Sequence, residues 1–360
     1  MTQTQLTPTP RSAVARAELP ASATSWATQT VFLTGWYLRT VRRRVMGKVL
    51  FWILVGIFAA VVGLQVAGYF IALNSGSEGA ANCAPAPVTT QQAGEQPSGQ
   101  PQQCQPLSQQ EIQAAREAAA AAIRQTFTFP SSLTVAGGLT TFIGLILLVI
   151  LAGAVVGGEY GYGTVRVALG RGVGRGQFIV AQAAALAVLA LFTAGLMVAL
   201  GSLVGATVGP LLGATLPAVG LEGAWEMVLF WLALSLNLFA FAAIALFMAT
   251  LGRSTAAGIG FALGYFIFEG VAQGIVFIVA TLLFSQPASA DFVHHIPDWF
   301  IGNNVAFIVR NVSQAPLVIN GPPLGGEAFD MTHALLVALA YLVVLIGGSY
   351  LLLRRRDVTD

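Results

Sequence analysis

Six long apolar runs constrain how this chain can fold. They cover residues 49–73, 133–157, 177–207, 226–251, 255–284 and 333–353, and each is long enough to cross a bilayer as a helix, which takes roughly 20 residues. Only 9% of the residues are charged, against about a quarter in a soluble domain. The runs are continuous, whereas transmembrane strands alternate apolar and polar residues. The sequence therefore predicts an all-α polytopic membrane protein with six transmembrane helices.

The basic residues lie mostly on one side of these runs. Of the 17 lysines and arginines, 14 fall in the N-terminal region, in the connection 158–176, at the short turn around Arg253 and after the last run. The outer loops 74–132, 208–225 and 285–332 contain the other three. Because positive charge is retained on the cytoplasmic side, we expect both termini to be cytoplasmic in a multi-pass protein of the cell membrane.

The N-terminal region divides into two predicted segments. Residues 1–25 are rich in Thr, Ala, Ser and Pro, which is typical of a disordered cytoplasmic tail. Residues 26–48 predict an amphipathic interfacial helix, although a disordered basic flank is an alternative. Its apolar and aromatic residues precede its basic ones: Val31, Phe32, Trp36 and Tyr37, then Arg39, Arg42, Arg43, Arg44 and Lys48. Residues 49–353 form the six-helix domain, and residues 354–360 form a short cytoplasmic tail.

The first outer loop contains both cysteines of the chain, Cys83 and Cys104. An outer loop faces an oxidising compartment, and a bridge that closes about twenty residues is worth roughly 3 kcal/mol. We therefore expect a disulfide, with two free thiols as the alternative. Residues 108–127 predict a helix after it, because Ser108 and Glu111 have capping-box spacing and the interior is rich in alanine.

The sequence lacks recognisable catalytic motifs. The only lysine, Lys48, precedes Val49, so a Walker A motif is absent, and no HExxH, Cys-x-x-Cys or Gly-x-Ser-x-Gly occurs. His294 and His295 near Asp291 and Asp298 predict no metal site, because adjacent residues of a helix point apart. We expect an interfacial helix there, with Trp299 and Phe300 as anchors.

One carboxyl group, that of Glu269, lies deep in a predicted span. Burying it ionised in lipid would be costly. We expect it to face the bundle interior, a dimer interface or a substrate path, with a protonated, purely structural glutamate as the alternative.

The most distinctive polar stretch, GGEYGYGTVRVALGRGVGRGQFIVAQ, occupies residues 157–182 between the second and third runs. Its first part predicts one short cytoplasmic helix. Glu159 and Arg166 are seven residues apart, so both can lie along one face, while Val165 and Leu169 supply apolar contact. Such a helix suits docking to a cytoplasmic partner. The alternative is a connection whose arginines only contact lipid phosphates.

This stretch resembles the intracellular loop of ABC-2 type ABC transporter permeases, the membrane subunits of type V exporters. The matching residues are Glu159, Tyr160, Gly163, Thr164, Val165 and Arg166, followed by Leu169 and Arg175. The layout of six spans with a large loop after the first is also similar. The chain departs from the family pattern at Gly161, in the turn RGVGR and at Gln182, where the family commonly has lysine.

The resemblance implies a permease subunit that exports its substrate and couples to ATP hydrolysis by a separate ATP-binding subunit. The matching residues would then be partner-coupling residues rather than catalytic ones, in a chain that is not itself an enzyme. ATP and magnesium would be bound by the partner, and a second permease copy would complete a dimer.

Two other functions stay open from the sequence, a secondary ion-coupled transporter and a non-transporting assembly factor. The substrate is not defined by the sequence, because a wide apolar bundle accepts many chemistries. Small residues are expected to allow close helix packing in it: Gly56, Gly63, Gly144, Gly153, Gly258 and Gly264.

Overall fold

The structure is a computed structural model that describes residues 25–74, 83–84, 105–106, 109–214, 220–283, 295–312 and 330–355. The predicted tail before Ser25, the residues after Arg355, Cys104 and most of the two large outer loops lie outside the described residues.

The described chain is helical apart from two short paired strands. The helices are α1 (Trp26–Arg43), α2 (Val45–Asn74), α3 (Gln109–Thr126), α4 (Ser131–Leu139), α5 (Leu145–Gly161), α6 (Thr164–Gly170), α7 (Arg175–Leu211), α8 (Leu221–Gly252), α9 (Thr255–Leu283), α10 (Ile301–Val312) and α11 (Met331–Arg355). A π-helical segment (Thr140–Gly144) joins α4 to α5, and a 3-10 turn (Ile296–Trp299) precedes α10. Strands β1 (Cys83–Ala84) and β2 (Gln105–Pro106) pair antiparallel.

Six helical segments of the described chain are long and apolar enough to cross a membrane. They are α2, the continuous run from α4 through α5, α7, α8, α9 and α11. The predicted all-α, six-span fold is therefore confirmed. The short turn expected at Arg253 is also present, because this residue ends α8 in the left-handed conformation with a φ of 50°.

The centre of the bundle is α8. It packs against α5, α7, α9, α10 and α11, and 72% of its most apolar stretch is buried. At the other extreme, only 11% of the corresponding stretch of α2 is buried. Among the six spans of the described chain, α2 therefore has the smallest share buried against other helices.

Close packing by glycine occurs where α5 crosses α9. A Cβ atom on Gly153 would lie 2.6 Å from Cγ1 of Ile259, and one on Gly157 would lie 2.5 Å from Cα of Thr255. Any larger residue would force these helices apart. The expectation of close packing thus holds at Gly153 and Gly258. It is wrong at Gly144, which has only ordinary contacts, and at three glycines that face open space: Gly56, Gly63 and Gly264.

The N-terminal helix is shorter than the predicted segment 26–48. Arg44 has an extended backbone with a ψ of 134°, which ends α1 at Arg43 and starts α2 at Val45. One face of α1 is buried against α7, including Tyr37, whereas the opposite face exposes Phe32. Its location at the membrane interface stays a prediction.

The segment before α11 differs from the expected interfacial helix. Trp299 is exposed, but α10 buries Ile301, Asn304 and Val305 completely and packs between α8 and α11. This helix is part of the bundle interior, because its apolar face meets two spans.

Candidate functional site

The segment that resembles a coupling loop folds as two helices rather than one. Helix α5 continues past Glu159, and α6 begins at Thr164. Between them, Gly163 has a φ of 68°, in the left-handed region where glycine avoids a steric cost. The predicted single helix with Glu159 and Arg166 along one face is therefore wrong, because the two residues belong to different helices.

Glu159 is buried, with 6% of its surface exposed. Its Oε2 accepts a hydrogen bond from the Tyr37 hydroxyl at 2.9 Å and another from Nε2 of Gln182 at 3.2 Å. We call Tyr37, Glu159 and Gln182 the Glu159 cluster; it joins α1, α5 and α7.

Tyr37 supplies the contact from α1. Its ring packs edge-on against Phe178 of α7, with 6.3 Å between the ring centres. Burial and the neighbouring Glu159 raise the pKa of Tyr37 well above its ordinary value, so its hydroxyl keeps the proton and donates. Nearby, Nε2 of Gln177 donates to Oε1 of Gln29 at 2.8 Å. These contacts hold α1 along the first turns of α7.

The inner face of α6 is attached to this cluster. The Thr164 hydroxyl donates to the main-chain oxygen of Glu159 at 3.1 Å. Val165 is 5% exposed within the hydrophobic core, and the half-buried Leu169 packs against that core. The prediction that Val165 and Leu169 present apolar contact to a partner is wrong, because both face the bundle. Tyr160 packs against the same core.

The outward surface is formed by other residues. Tyr162 is 79% exposed and Val167 is 54% exposed, and Arg166 and Arg171 are exposed beside them. We call these four residues, two on α6 and one just beyond each of its ends, the outer face of α6. It combines two positive charges with an aromatic and an aliphatic side chain. A soluble partner that docks on this loop would meet these residues.

Arg175 has a different position from the one expected of a docking residue. It begins α7, and its Nη1 donates to the main-chain oxygen of Arg354 at 2.6 Å. Basic side chains commonly satisfy the last carbonyl groups of a helix in this way. Arg175 therefore ties α7 to the end of α11.

Two members of the Glu159 cluster were not identified from the sequence. In the sequence, Tyr37 is one of the aromatic and apolar residues of the N-terminal segment, and Gln182 stands out only as a departure from the family pattern. Gln182 is 2% exposed inside a mostly apolar helix. A polar group at such a position requires a hydrogen-bonding partner. The polar residue within an apolar run is therefore the feature of the sequence that indicates a buried polar contact.

Glu269 lies on α9 and is 3% exposed. Its Oε1 accepts a hydrogen bond from the backbone N–H of Asn303 at 2.7 Å. At Gly302 an added Cβ would lie 2.7 Å from Oε2 of Glu269. The first turn of a helix leaves N–H groups without an intrahelical partner, so this carboxyl group caps α10 from inside the protomer. A role for it in transport stays a prediction.

The histidine and cysteine predictions fall partly outside the described residues. Nδ1 of His295 lies 2.7 Å from Oδ2 of Asp298, whereas Asp291 and His294 are not described. Within the described ranges, no group of three or more His, Cys, Asp or Glu residues could hold a metal. Cys83 lies on β1, but Cys104 is not described, so the disulfide stays a prediction.

Comparison with known proteins identifies the family. The model of the family described as ABC-2 family transporter protein matches residues 40–358. No curated protein and no solved structure matches the chain. The matched range includes all six spans, Glu159, Gln182 and α6. The chain therefore belongs to the ABC-2 transporter family and is a multi-pass membrane permease of an ABC transporter.

Proposed function

We propose that this permease is an exporter subunit that couples ATP hydrolysis by a separate cytoplasmic subunit to substrate movement. One observation carries the proposal: α6 has an exposed outer face and an inner face attached to the Glu159 cluster. It therefore offers a contact surface on one side and a connection to three helices on the other.

The first step is docking of the ATP-binding subunit on the outer face of α6. Arg166 and Arg171 favour an acidic partner surface, and Tyr162 and Val167 add apolar contact area. An exposed ion pair contributes only about 0–1 kcal/mol. The charges therefore orient the partner, while the shape of the helix and its exposed apolar side chains provide most of the contact.

The second step is transmission of movement into the spans. Displacement of α6 pulls on Thr164, whose hydroxyl is bonded to the main chain of Glu159. The side chain of Glu159 is bonded to α1 and α7. Since packed cores switch between discrete arrangements instead of deforming continuously, α1, α5 and α7 are expected to move as one unit.

ATP and magnesium belong to the partner in this proposal, and this chain contributes no catalytic residue. A second permease copy completes the transporter, both termini are cytoplasmic, and the cell membrane is the location.

The alternative of ion-coupled transport depends on Glu269 as a carrier of charge. Its hydrogen bond to the N-terminus of α10 supports a structural role and so favours ATP-driven transport.

Photo-crosslinking tests the proposal in membranes of the native host. A photoreactive amino acid at Val167 should capture a protein with Walker A and Walker B motifs, identified by mass spectrometry. The same probe at Leu221, which is 92% exposed at the start of α8, serves as the control and should not capture it. Capture of lipid alone at position 167 would contradict the proposal.

A further inference from the structure

A cavity of about 250 Å³ lies between α2 and the facing sides of α5 and α7. Its walls are almost entirely apolar and include Trp52, Leu148 and Leu189. Phe51 and Phe192 stack across it at 6.4 Å between ring centres. This cavity is separate from the Glu159 cluster and from the outer face of α6.

Two basic side chains also line this cavity. Arg42 ends α1, and Lys48 lies in the first turn of α2. Both are exposed, whereas the rest of the cavity is almost entirely apolar. The site therefore presents positive charge at one end and hydrocarbon-like walls at the other.

We propose that this cavity holds one acyl chain of an anionic phospholipid, whose headgroup phosphate is bound by Arg42 and Lys48. Basic pockets between transmembrane helices recognise anionic headgroups, and arginine and lysine are both suited to phosphate. The volume is below the roughly 300–1,000 Å³ of pockets that enclose a whole drug-sized ligand. It therefore suits a segment of a single acyl chain, with the headgroup and the rest of the chain outside.

Because α2 packs weakly against the other helices, a bound lipid would help to hold this helix in place. Only 11% of the most apolar stretch of α2 is buried in the protomer, and α1 turns into α2 at Arg44. A lipid chain between α2 and α7 would fill the space that side chains leave there. Its headgroup would bridge the end of α1 and the start of α2.

Native mass spectrometry tests this site on the full chain purified from vesicles of equimolar phosphatidylglycerol and phosphatidylcholine. The unmodified protein should retain one phosphatidylglycerol per protomer. The double variant Arg42→Gln/Lys48→Gln should lose it, with an affinity about thirtyfold lower for two basic contacts at a membrane surface. The matched control Arg39→Gln/Arg43→Gln removes two exposed charges that do not line the cavity and should retain the lipid.

A second variant distinguishes binding of the acyl chain in the cavity from attraction of the headgroup by surface charge alone. Thr193 also lines the cavity, so Thr193→Phe should expel the acyl chain although both basic residues remain. Leu189→Phe tests the same point should Thr193→Phe fail to fold. The proposal would be overturned if a folded variant with phenylalanine in the cavity still retained phosphatidylglycerol. It would also be overturned if the unmodified protein retained phosphatidylglycerol and phosphatidylcholine equally. Displacement of the lipid by millimolar inorganic phosphate would also overturn it, because a free anion lacks the chain.

Discussion

The hydroxyl group of Tyr37 donates a hydrogen bond to the carboxyl group of Glu159 across 122 positions of the chain. Glu159 also accepts from Gln182, and its main-chain oxygen accepts from Thr164. The N-terminal helix and the short helix α6 are thus fixed to the same residue. Movement of one is therefore expected to displace the other.

The first prediction concerns the Tyr37 hydroxyl. Tyr37→Phe keeps the buried ring but removes the donor to Glu159. A hydrogen bond inside a protein contributes about 0.5–1.5 kcal/mol net, so we expect a lower unfolding temperature in detergent and weaker stimulation of the partner's ATP hydrolysis. Differential scanning fluorimetry and an ATPase assay of the assembled transporter measure the two effects.

The adjacent Trp36 provides the control for this variant. It lies on the same helix but is 49% exposed, so Trp36→Phe should leave both measurements close to those of the unmodified protein. Equal unfolding temperatures and equal ATPase stimulation for Tyr37→Phe and Trp36→Phe would show that the hydrogen bond has no mechanical role.

The second prediction concerns the outer face of α6. Val167→Pro should disrupt this helix, because proline in a helix interior costs about 3 kcal/mol. The side chain is half exposed, so little core packing is lost and the chain should still insert in the membrane. We expect co-purification with the ATP-binding subunit to be abolished.

Val167→Ala is the matched control, since alanine retains the helix and removes only two methyl groups. It should bind the partner with at most a modest loss of affinity. If Val167→Pro bound the ATP-binding subunit as well as Val167→Ala does, α6 would be an interfacial connection rather than a docking element.

The sequence predicts the spans well because their signal is local. Length and hydrophobicity alone identify a helix that crosses a bilayer, and the six predicted runs overlap α2, α4–α5, α7, α8, α9 and α11. The segment that resembles a coupling loop connects the second and third spans. The contacts between Tyr37, Glu159 and Gln182 could not be predicted, because they depend on how three distant helices come together.

The orientation of α6 illustrates a second limit. Val165, Val167 and Leu169 are all apolar, so the short helix has no clear periodicity. Only tertiary packing determines that Val165 faces inward and Val167 faces outward. Gly163 is a better guide, since a glycine between two helical patterns marks a turn, and it separates Glu159 from Arg166.

The third prediction concerns Gln182. Gln182→Leu removes a donor from the buried carboxyl group of Glu159 and should lower the unfolding temperature. Gln182→Lys restores a donor and adds an opposite charge, so we expect it to be better tolerated. A double-mutant cycle of Gln182→Leu with Glu159→Ala measures the coupling, because each variant removes the hydrogen bond. Additive effects of these two changes on the free energy of unfolding would exclude a direct interaction.

The fourth prediction is a disulfide between Cys83 and Cys104. Thiol-specific mass tagging of the denatured protein should label neither cysteine without reductant and both after reduction. Labelling of both before reduction would exclude the bridge. It would also call into question the outer location of their loop.

The fifth prediction concerns Glu269 as the cap of α10. Glu269→Gln keeps an oxygen that can accept from the N–H of Asn303, so this variant should unfold near the temperature of the unmodified protein. Glu269→Ala leaves that buried N–H group without its acceptor. The expected cost is about 1–3 kcal/mol, measured as a lower unfolding temperature in detergent.

The comparison of these two variants also separates a structural from a functional glutamate. If Glu269 only caps α10, the Glu269→Gln variant should support ATP hydrolysis by the partner and transport like the unmodified protein. The Glu269→Ala variant should unfold at a lower temperature. Gly302→Ala should resemble Glu269→Ala, because its added Cβ would lie 2.7 Å from the carboxyl oxygen and force the two groups apart. A normally folded Glu269→Gln protein that no longer transports would instead assign this carboxyl group to the transport path.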